Sequence, residues 1–369
     1  MLNKFEVENF RRFKDTLSFD LTAASYEFNN ECSKDGLVKT ALVYGENASG
    51  KSCLGWAIFD IVEHLTDNKK NREAPPHYLN ANSERKSAIF KYTFLLNKKE
   101  VTYIYEKDES QKLLNETLKI NQKTIIEYQV GQSIKTTLKG SQHLNKNLNP
   151  ELSLSALKYI YSNTNLDLRV QENKTFYQLM SFVSEMLLFR AVLDSKTYIG
   201  FTNGRSDIFK NILEKGNFSD FELFLNESGV KCKLGITENN GEATIGFQFE
   251  TKIIPISSIA STGTISLSLF YHWWQQMKEN KVSLLFIDEF DASYHFKLSR
   301  AIVKRLKQIN SQVILTTHNT ALLDNDLIRP DCGFIIDGSH IQSLHASTSK
   351  ALRHAHNIEK MYRAGGFNE

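Results

Sequence analysis

The feature that most constrains this chain is a glycine-bounded octet, Gly-Glu-Asn-Ala-Ser-Gly-Lys-Ser, at residues 45–52. Its glycines let the backbone curl so that successive N–H groups point inward, as the binding of a phosphate group requires. Its lysine can place a cation on the outer phosphates, and its final serine hydroxyl can coordinate a magnesium ion. The candidate phosphate-binding residues are Gly45, Glu46, Asn47, Ala48, Ser49, Gly50, Lys51 and Ser52.

The segments on either side of the octet fit the same interpretation. Val38 to Tyr44 is an apolar run of strand length. The residues that follow the octet place apolar side chains on one helical face: Leu54, Ile58, Ile61, Val62 and Leu65. A strand, a glycine loop and a helix in this order hold a phosphate at the helix N-terminus, whereas a plain glycine turn would need neither the lysine nor the serine. We therefore expect a nucleoside triphosphate, with ATP and Mg²⁺ as the cofactors.

Composition excludes several other classes of protein. The 369 residues carry 45 basic and 42 acidic side chains, so the net charge of +3 argues neither for nor against a nucleic-acid partner. The four cysteines show no C-x-x-C spacing and fit a reducing compartment. No apolar run approaches the roughly 18 residues that cross a bilayer, and the N-terminus lacks a signal-peptide core. We expect a cytoplasmic protein without a membrane segment.

The pattern along the chain predicts an α/β protein with a split nucleotide-binding domain. Expected strands are a hairpin in the first 20 or so residues, then 88–96, 101–105, 124–128, 231–236, 243–249, 283–287 and 312–316. Expected helices follow the octet, occupy much of 145–226 (one through Tyr177, Met180, Val183, Met186, Leu187 and Phe189, another over 208–213), and resume after Leu298. A surface loop is expected at Asn71 to Pro76 and a tight turn at Asn239 to Gly241.

These elements suggest two domains. Residues 1–95 and 250–369 would form the nucleotide-binding domain, because both stretches alternate strands and helices. Residues 96–249 would be an insertion, with β-hairpins first and helices after them, that serves as a lid or as a region for binding a partner or substrate.

Two carboxylates and a histidine supply a candidate catalytic set. The apolar strand at 283–287 ends in Asp288 and Glu289. An acid at the carboxyl end of a central strand faces the phosphate loop, so Asp288 is expected to hold the magnesium ion, beside Ser52. Glu289 can polarise the attacking water. His318 ends the next strand, where it can reach the γ-phosphate, and with Lys51 it completes the expected catalytic residues.

Ser261 and Gly263 precede another apolar helix. Ser261 is a suitable N-cap, and a helix N-terminus with a hydroxyl group and a glycine is a second place where an anion can bind. An ordinary capped helix is the competing interpretation. The segment lies about 20 residues before the strand that ends in two carboxylates.

These motifs together resemble the ABC-type ATPase head. The phosphate loop, Ser261 to Thr264, Asp288-Glu289 and His318 are most similar to the compact AAA-labelled, ABC-like ATPases of bacteria related to the OLD family and to SMC-type repair ATPases. Many of those proteins act in abortive infection against phage. The opening Glu8 to Lys14, the run Glu289 to His295 and the end Tyr362 to Phe367 resemble the start, the D-loop and the tail of these proteins. The resemblance covers residues 1 to about 95 and from about 250 to 369.

The resemblance implies a fold, an assembly and further site residues. The fold would be a P-loop NTPase of ABC/SMC-head type with a mixed β-sheet and a mainly helical insertion. Two heads would pair head to tail, so that Ser261 and Gly263 contact the γ-phosphate held by the other copy, while Asp291 bridges the subunits. Arg11 and Arg12 would approach the nucleotide. Thr262 and Phe296 depart from the family pattern, and the usual magnesium-binding glutamine has no assigned position here.

Three functions remain open on the sequence. The leading hypothesis is a dimeric ATPase switch that controls a separate effector in phage defence, since the roughly 50 residues after His318 are too few for the nuclease domain of OLD proteins. The second is an SMC-like DNA-repair ATPase, although the middle lysines fit a solvated face better than a DNA-binding stripe. The third is a P-loop small-molecule kinase. The middle lysines in question are Lys98, Lys99, Lys107, Lys112, Lys119 and Lys123.

Overall fold

A computed structural model describes residues 1–67, 77–190, 198–200, 208–239, 241–278 and 282–367. The strands are β1 Leu2–Glu8, β2 Leu17–Asp20, β3 Ser33–Lys34, β4 Leu37–Val38, β5 Thr40–Tyr44, β6 Ser87–Leu96, β7 Lys99–Asp108, β8 Leu113–Ile120, β9 Lys123–Gln129, β10 Lys135–Thr136, β11 Leu187–Arg190, β12 Tyr198–Ile199, β13 Leu234–Asn239, β14 Glu242–Gln248, β15 Ile253–Pro255, β16 Leu284–Asp288, β17 Gln312–Thr317, β18 Gly333–Ile336 and β19 Ile341–Ser343. The helices are α1 Lys51–Leu65, α2 Ala156–Asn163, α3 Gln171–Ser184, α4 Ile208–Glu214, α5 Phe218–Glu227, α6 Ile256–Ile259, α7 Thr262–Lys278, α8 Phe296–Leu306 and α9 Ile358–Arg363.

The core sheet has the strand order β12-β11-β16-β17-β5-β18-β19. Its inner strands β11, β16, β17, β5 and β18 run parallel, and β12 and β19 add antiparallel edges. Every residue of β5, β16 and β17 is buried, as expected for strands covered on both faces. The predicted α/β class with a mixed sheet is confirmed. Because the strands are parallel, the carboxyl ends of β5, β16 and β17 meet at one edge.

A second large sheet is antiparallel, in the order β10-β9-β8-β7-β6-β1-β2. The predicted opening hairpin is β1 with β2, and the predicted strands at 88–96, 101–105 and 124–128 are β6, β7 and β9. Strand β8 was not predicted. The hairpin β6–β7 joins residues 87–108 across the predicted domain boundary at residue 95. The division into two domains remains a prediction.

Helix α1 lies between the two large sheets. On one side, a Cβ atom added to Gly55 would come within 2.7 Å of the Phe286 ring of β16, so the glycine lets helix and strand approach closely. On the other side, the Tyr92 hydroxyl of β6 donates to the Ala57 carbonyl of α1 at 2.9 Å. Helix α1, which begins at the phosphate loop, is thereby fixed against both sheets.

A buried charge pair strengthens the second contact. The Asp60 carboxylate of α1 accepts hydrogen bonds from Tyr78 and Tyr105, both at 2.8 Å, and pairs with the Lys107 ammonium of β7. Burial alone would raise the pKa of Asp60, but Lys107 and the tyrosine hydroxyls outweigh it and hold the pKa below its usual value. The prediction that Lys107 belongs to a solvated face is therefore wrong.

One predicted helix is wrong at its end. The sequence pattern predicts a helix that continues from Tyr177 through Leu187 and Phe189, but α3 ends at Ser184 and Leu187–Arg190 is strand β11. The run Leu187 to Phe189 is short and wholly apolar, and such a run fits a buried strand as well as a helix. Pairing with β16 decides for the strand.

Several other predicted elements agree with the structure, although the predicted strand Val38 to Tyr44 is divided between β4 and β5, which belong to different sheets. Helices α4 and α8, and strands β16 and β17, occur where they were expected. Strands β13 and β14 form the predicted hairpin. The expected loop at Asn71–Pro76 and the turn residue Asn240 lie outside the described residues.

Candidate active site

The phosphate loop connects β5 to α1 at the carboxyl edge of the core sheet. Ala48 and Gly50 have φ angles of +60° and +104°, the left-handed conformations that turn successive N–H groups toward one point. Gly45 has no room for a side chain, because a Cβ there would lie 2.7 Å from the Ile336 carbonyl oxygen. The Ser49 side chain is 6% exposed, and its hydroxyl has no hydrogen-bond partner among the described residues. This cradle fits a phosphate group.

The Lys51 side chain folds back and binds the backbone of the phosphate loop. Its ammonium donates to the carbonyl oxygens of Gly45 at 2.7 Å and Glu46 at 2.8 Å. Burial lowers the pKa of Lys51, and the negative charges of Asp288 and Glu289 oppose that shift. A phosphate in the cradle would give this buried cation a stronger partner than two neutral carbonyls.

Asp288 stands directly opposite the loop, at the end of β16. Its Oδ2 accepts a hydrogen bond from the Ser52 hydroxyl at 2.7 Å, and its Oδ1 accepts one from Thr316 of β17 at 2.7 Å. The carboxylate is therefore oriented by two neighbours on different elements. Ser52 and Asp288 present hard oxygen donors to one point, as Mg²⁺ requires, and a bound triphosphate would supply more. The predicted pair fits a magnesium ion.

Glu289, the residue after Asp288, has an unusual backbone conformation. Its φ angle of +50° is rare for a residue with a side chain, and its N–H donates to the Thr316 hydroxyl at 2.8 Å. This turn directs the carboxylate into the cleft. There Oε1 lies 3.8 Å from His318 Nε2, and Oε2 accepts a hydrogen bond from Arg190 at 3.0 Å.

His318 links the two halves of the site. Its Nδ1 is 3.3 Å from the Lys51 ammonium, while its Nε2 faces Glu289. The predicted loop, acids and histidine therefore meet at the carboxyl edges of three adjacent strands. A ligand at this edge would touch the cation, the carboxylates and the imidazole together.

Arg190 and Thr316 are site residues that were not predicted. Thr316 lies in the predicted strand two residues before His318, but nothing local marks its hydroxyl as a bridge between Asp288 and Glu289. Arg190 follows the run that was assigned to a helix. A polar residue at the end of an apolar run of strand length is the signal that could have found it.

Ser261 and Gly263 lie at the start of α7, whereas Asp291 lies just after Glu289, close to Thr317, His318 and Asn319. Ser261 is exposed, and its hydroxyl accepts a hydrogen bond from the Thr264 N–H at 3.3 Å, as an N-cap does. A Cβ added to Gly263 would lie 2.9 Å from the Ser293 carbonyl oxygen, so the start of α7 packs on the segment that follows Glu289. Burial raises the pKa of Asp291, and hydrogen bonds with Thr317 and Asn319 oppose the shift.

The two predicted arginines lie in different surroundings. Arg12 lines a cavity of about 680 Å³ together with Gly45, Glu46, Asn47 and Ser49 of the phosphate loop. The Arg11 guanidinium lies 5.9 Å from the Trp56 ring and lines a separate cavity of about 360 Å³. The structure thus brings Arg12, but not Arg11, to the cavity beside the loop.

Comparison with known families identifies the family of this chain. Residues 41–324 match the family model described as "AAA domain, putative AbiEii toxin, Type IV TA system". The chain belongs to this AAA family. It is an AAA-type ATPase, and the family that its motifs resemble is thereby confirmed. No curated protein matches the sequence.

Solved structures offer distant likenesses. The chain is similar to the Smc head domain from Pyrococcus furiosus bound to the C-terminal domain of ScpA (11% identity, 94% of this chain and 97% of that one, TM-score 0.48). It is also similar to the SMC head domain from Thermotoga maritima (13% identity, 93% and 98%, TM-score 0.45). A third likeness is to the recombination mediator RecF bound to ATPrS (14% identity, 93% and 98%, TM-score 0.42).

None of the helices in the described part of the chain is long and apolar enough to cross a membrane.

Proposed function

We propose that this protein hydrolyses ATP in a Mg²⁺-dependent reaction at a site completed by a second copy of the chain, and that its nucleotide state controls a separate effector. The observation that carries the proposal is the convergence of Lys51, Ser52, Asp288, Glu289 and His318 at one edge of the core sheet. A site that only binds ATP would need the phosphate loop and its lysine. A site that hydrolyses ATP also needs a carboxylate that polarises the attacking water, and Glu289 lies in the position for that role.

The loop residues bind and orient the triphosphate. Inward N–H groups around Ala48 and Gly50 hold the phosphates, and Lys51 exchanges its carbonyl partners for phosphate oxygens. Ser52 and Asp288 would hold Mg²⁺, which supplies Lewis-acid stabilisation of the charge that develops on the phosphates. Thr316 keeps the Asp288 carboxylate in place while this happens.

Glu289 and His318 act on the reacting end of the nucleotide. Glu289 accepts a proton from, or orients, the water that attacks the γ-phosphate. His318, within reach of both Lys51 and Glu289, donates to a γ-phosphate oxygen and senses its loss. Arg12, at the cavity beside the loop, is proposed to approach the nucleotide, as Arg11 was also expected to do.

The second copy contributes Ser261 and Gly263. Ser261 and Thr262 at the start of α7 are exposed and offer hydroxyl groups at a helix N-terminus, which suit an anion held by another molecule. Asp291, two residues before the Ser293 carbonyl that faces Gly263, is proposed to bridge the two copies. We therefore propose a head-to-tail homodimer.

The biological role is proposed from the family description, which names a putative toxin of a type IV TA system. We propose a cytoplasmic sensor ATPase of bacterial phage defence that acts with another protein. Protection of cells against phage by the chain with its neighbouring genes, lost in Lys51→Ala, would support this role. Unchanged protection in that variant would refute it.

Glu289→Gln tests the chemistry. Phosphate release from ATP, without any added acceptor, should fall at least about 100-fold, while ATP binding is retained. Glu227→Gln is the matched control, because Glu227 pairs with Arg305 on the surface and should leave turnover unchanged. An unchanged rate in Glu289→Gln would refute the assignment. Phosphate transfer only when a small-molecule acceptor is added would favour a kinase instead.

A further inference from the structure

Arg190 is brought to the two carboxylates by strand pairing. Strand β11 runs parallel to β16, and the register places Arg190 beside Asp288. Both residues therefore stand at the carboxyl edge of the core sheet, facing the phosphate loop.

The guanidinium contacts both acids. Its Nη2 donates to Glu289 Oε2 at 3.0 Å, and its Nε lies 3.5 Å from Asp288 Oδ2. That same Oδ2 accepts the hydrogen bond from Ser52. The oxygen suited to a magnesium ion is thus the oxygen beside which Arg190 places its positive charge.

Two other basic side chains of the described residues lie near the carboxylates. Lys51 is engaged with the carbonyl oxygens of Gly45 and Glu46, and His318 stands 3.8 Å from Glu289. Arg190 approaches both acids at once. Its side chain is 43% exposed whereas that of Asp288 is 7% exposed, so the arginine can leave without disturbing the core but the carboxylate cannot.

We propose that Arg190 is a metal-linked positioning residue. In the nucleotide-free protein it neutralises Asp288 and Glu289, and it yields the Asp288 oxygen when Mg²⁺ binds there. Its remaining hydrogen bond then holds the Glu289 carboxylate toward the cleft. This inference rests on the proposed function, because it concerns regulation of the same site.

The first test is binding of Mn²⁺, as a probe for Mg²⁺, to the nucleotide-free protein, measured by electron paramagnetic resonance of the free ion. Arg190→Gln should bind Mn²⁺ about tenfold more tightly than wild type, because a cation beside the binding oxygen is removed. Arg190→Lys should stay within about twofold of wild type, since the charge remains. Arg305→Gln, which removes a surface arginine paired with Glu227, is the matched control and should not change binding.

The second test is ATP turnover at saturating Mg²⁺. Arg190→Gln and Arg190→Lys should both turn over about tenfold more slowly, because neither side chain reproduces the rigid guanidinium hydrogen bond that holds the Glu289 carboxylate toward the cleft. Equal or weaker Mn²⁺ binding in Arg190→Gln, or binding undetectable in every variant, would overturn the proposal. If wild type itself hydrolyses no ATP, the proposed function fails, and the metal measurement still decides the placement of Arg190.

Discussion

Thr316→Val should cost both stability and turnover. The Thr316 side chain is fully buried in β17 and makes two hydrogen bonds, one donated to Asp288 Oδ1 and one accepted from the Glu289 N–H. Valine has nearly the same shape but can make neither bond. The substitution therefore removes the hydroxyl while leaving packing almost unchanged.

The magnitude follows from the two partners. Loss of a hydrogen bond to a charged carboxylate costs about 1.5–3 kcal/mol, and an unsatisfied buried N–H costs about 1–3 kcal/mol. Part of this cost is recovered if the Asp288 carboxylate and the Glu289 N–H shift toward the solvent in the cleft. We therefore expect Thr316→Val to lower the unfolding free energy by about 3 kcal/mol. Turnover should also fall, because the left-handed backbone of Glu289 is held in place by that bond.

The chain offers a matched control in Thr40. It is equally buried, on the adjacent strand β5, and its hydroxyl has no hydrogen-bond partner among the described residues. Thr40→Val should therefore change the unfolding free energy by between zero and about 1 kcal/mol in the stabilising direction. Urea titrations of both variants measure the difference. Equal unfolding free energies for the two variants would refute the bridging role of Thr316.

Two further predictions concern pH and the phosphate loop. Burial, helped by the charge of Lys215, lowers the pKa of His272 from 6.5 to about 4. Between these two pH values the unfolded chain binds a proton that the folded chain does not, so the folded state becomes less stable as the pH is lowered. On going from pH 7 to pH 5, wild type should therefore lose about 2 kcal/mol more unfolding free energy than His272→Gln. Equal losses in urea titrations at the two pH values would contradict this. Gly45→Ala should abolish ATP binding in calorimetry, because its Cβ would meet the Ile336 carbonyl at 2.7 Å. Gly36→Ala is the control: its φ of +74° strains an alanine, but the Cβ has open space around it and lies outside the phosphate loop, so the folded variant should bind ATP normally. Normal binding by Gly45→Ala would contradict the cradle geometry.

The parts of the site that the sequence predicts are those encoded by neighbouring residues. The phosphate loop is eight consecutive residues whose types and spacing each have a physical reason. Asp288 and Glu289 follow a wholly apolar run, and His318 ends the next strand. Parallel strands bring these three segments to one edge, so strand order along the chain was enough to place them together.

The position of Arg190 in the site depends on the pairing of two strands that are far apart in the sequence. Arg190 is 99 residues from Glu289 in the sequence, and no fixed spacing connects a residue of β11 to one of β16. The apolar run before Arg190 continues the helical spacing of the preceding helix α3, so the sequence alone favours a helix there. Only the pairing of the two strands reveals the contact.

Lys107 was misjudged for a different reason. Tyr103, Tyr105 and Lys107 alternate along β7 and face the same side of the sheet, so the period of two was available. A lysine on a buried face is rare unless it is paired, and its partner, Asp60, lies on a helix 47 residues away. Composition favoured the solvated interpretation, and tertiary structure decided against it.

Mixing two inactive variants tests the head-to-tail site most directly. Lys51→Ala disables the phosphate loop, and Ser261→Arg disables the helix start that is proposed to reach the other copy. Each variant alone should hydrolyse no ATP. In a mixed dimer, one site combines both defects, and the other combines two intact halves. Random mixing in equal amounts should therefore restore about one quarter of wild-type turnover. No turnover above that of the separate variants would contradict an ATP site shared between two copies of this chain.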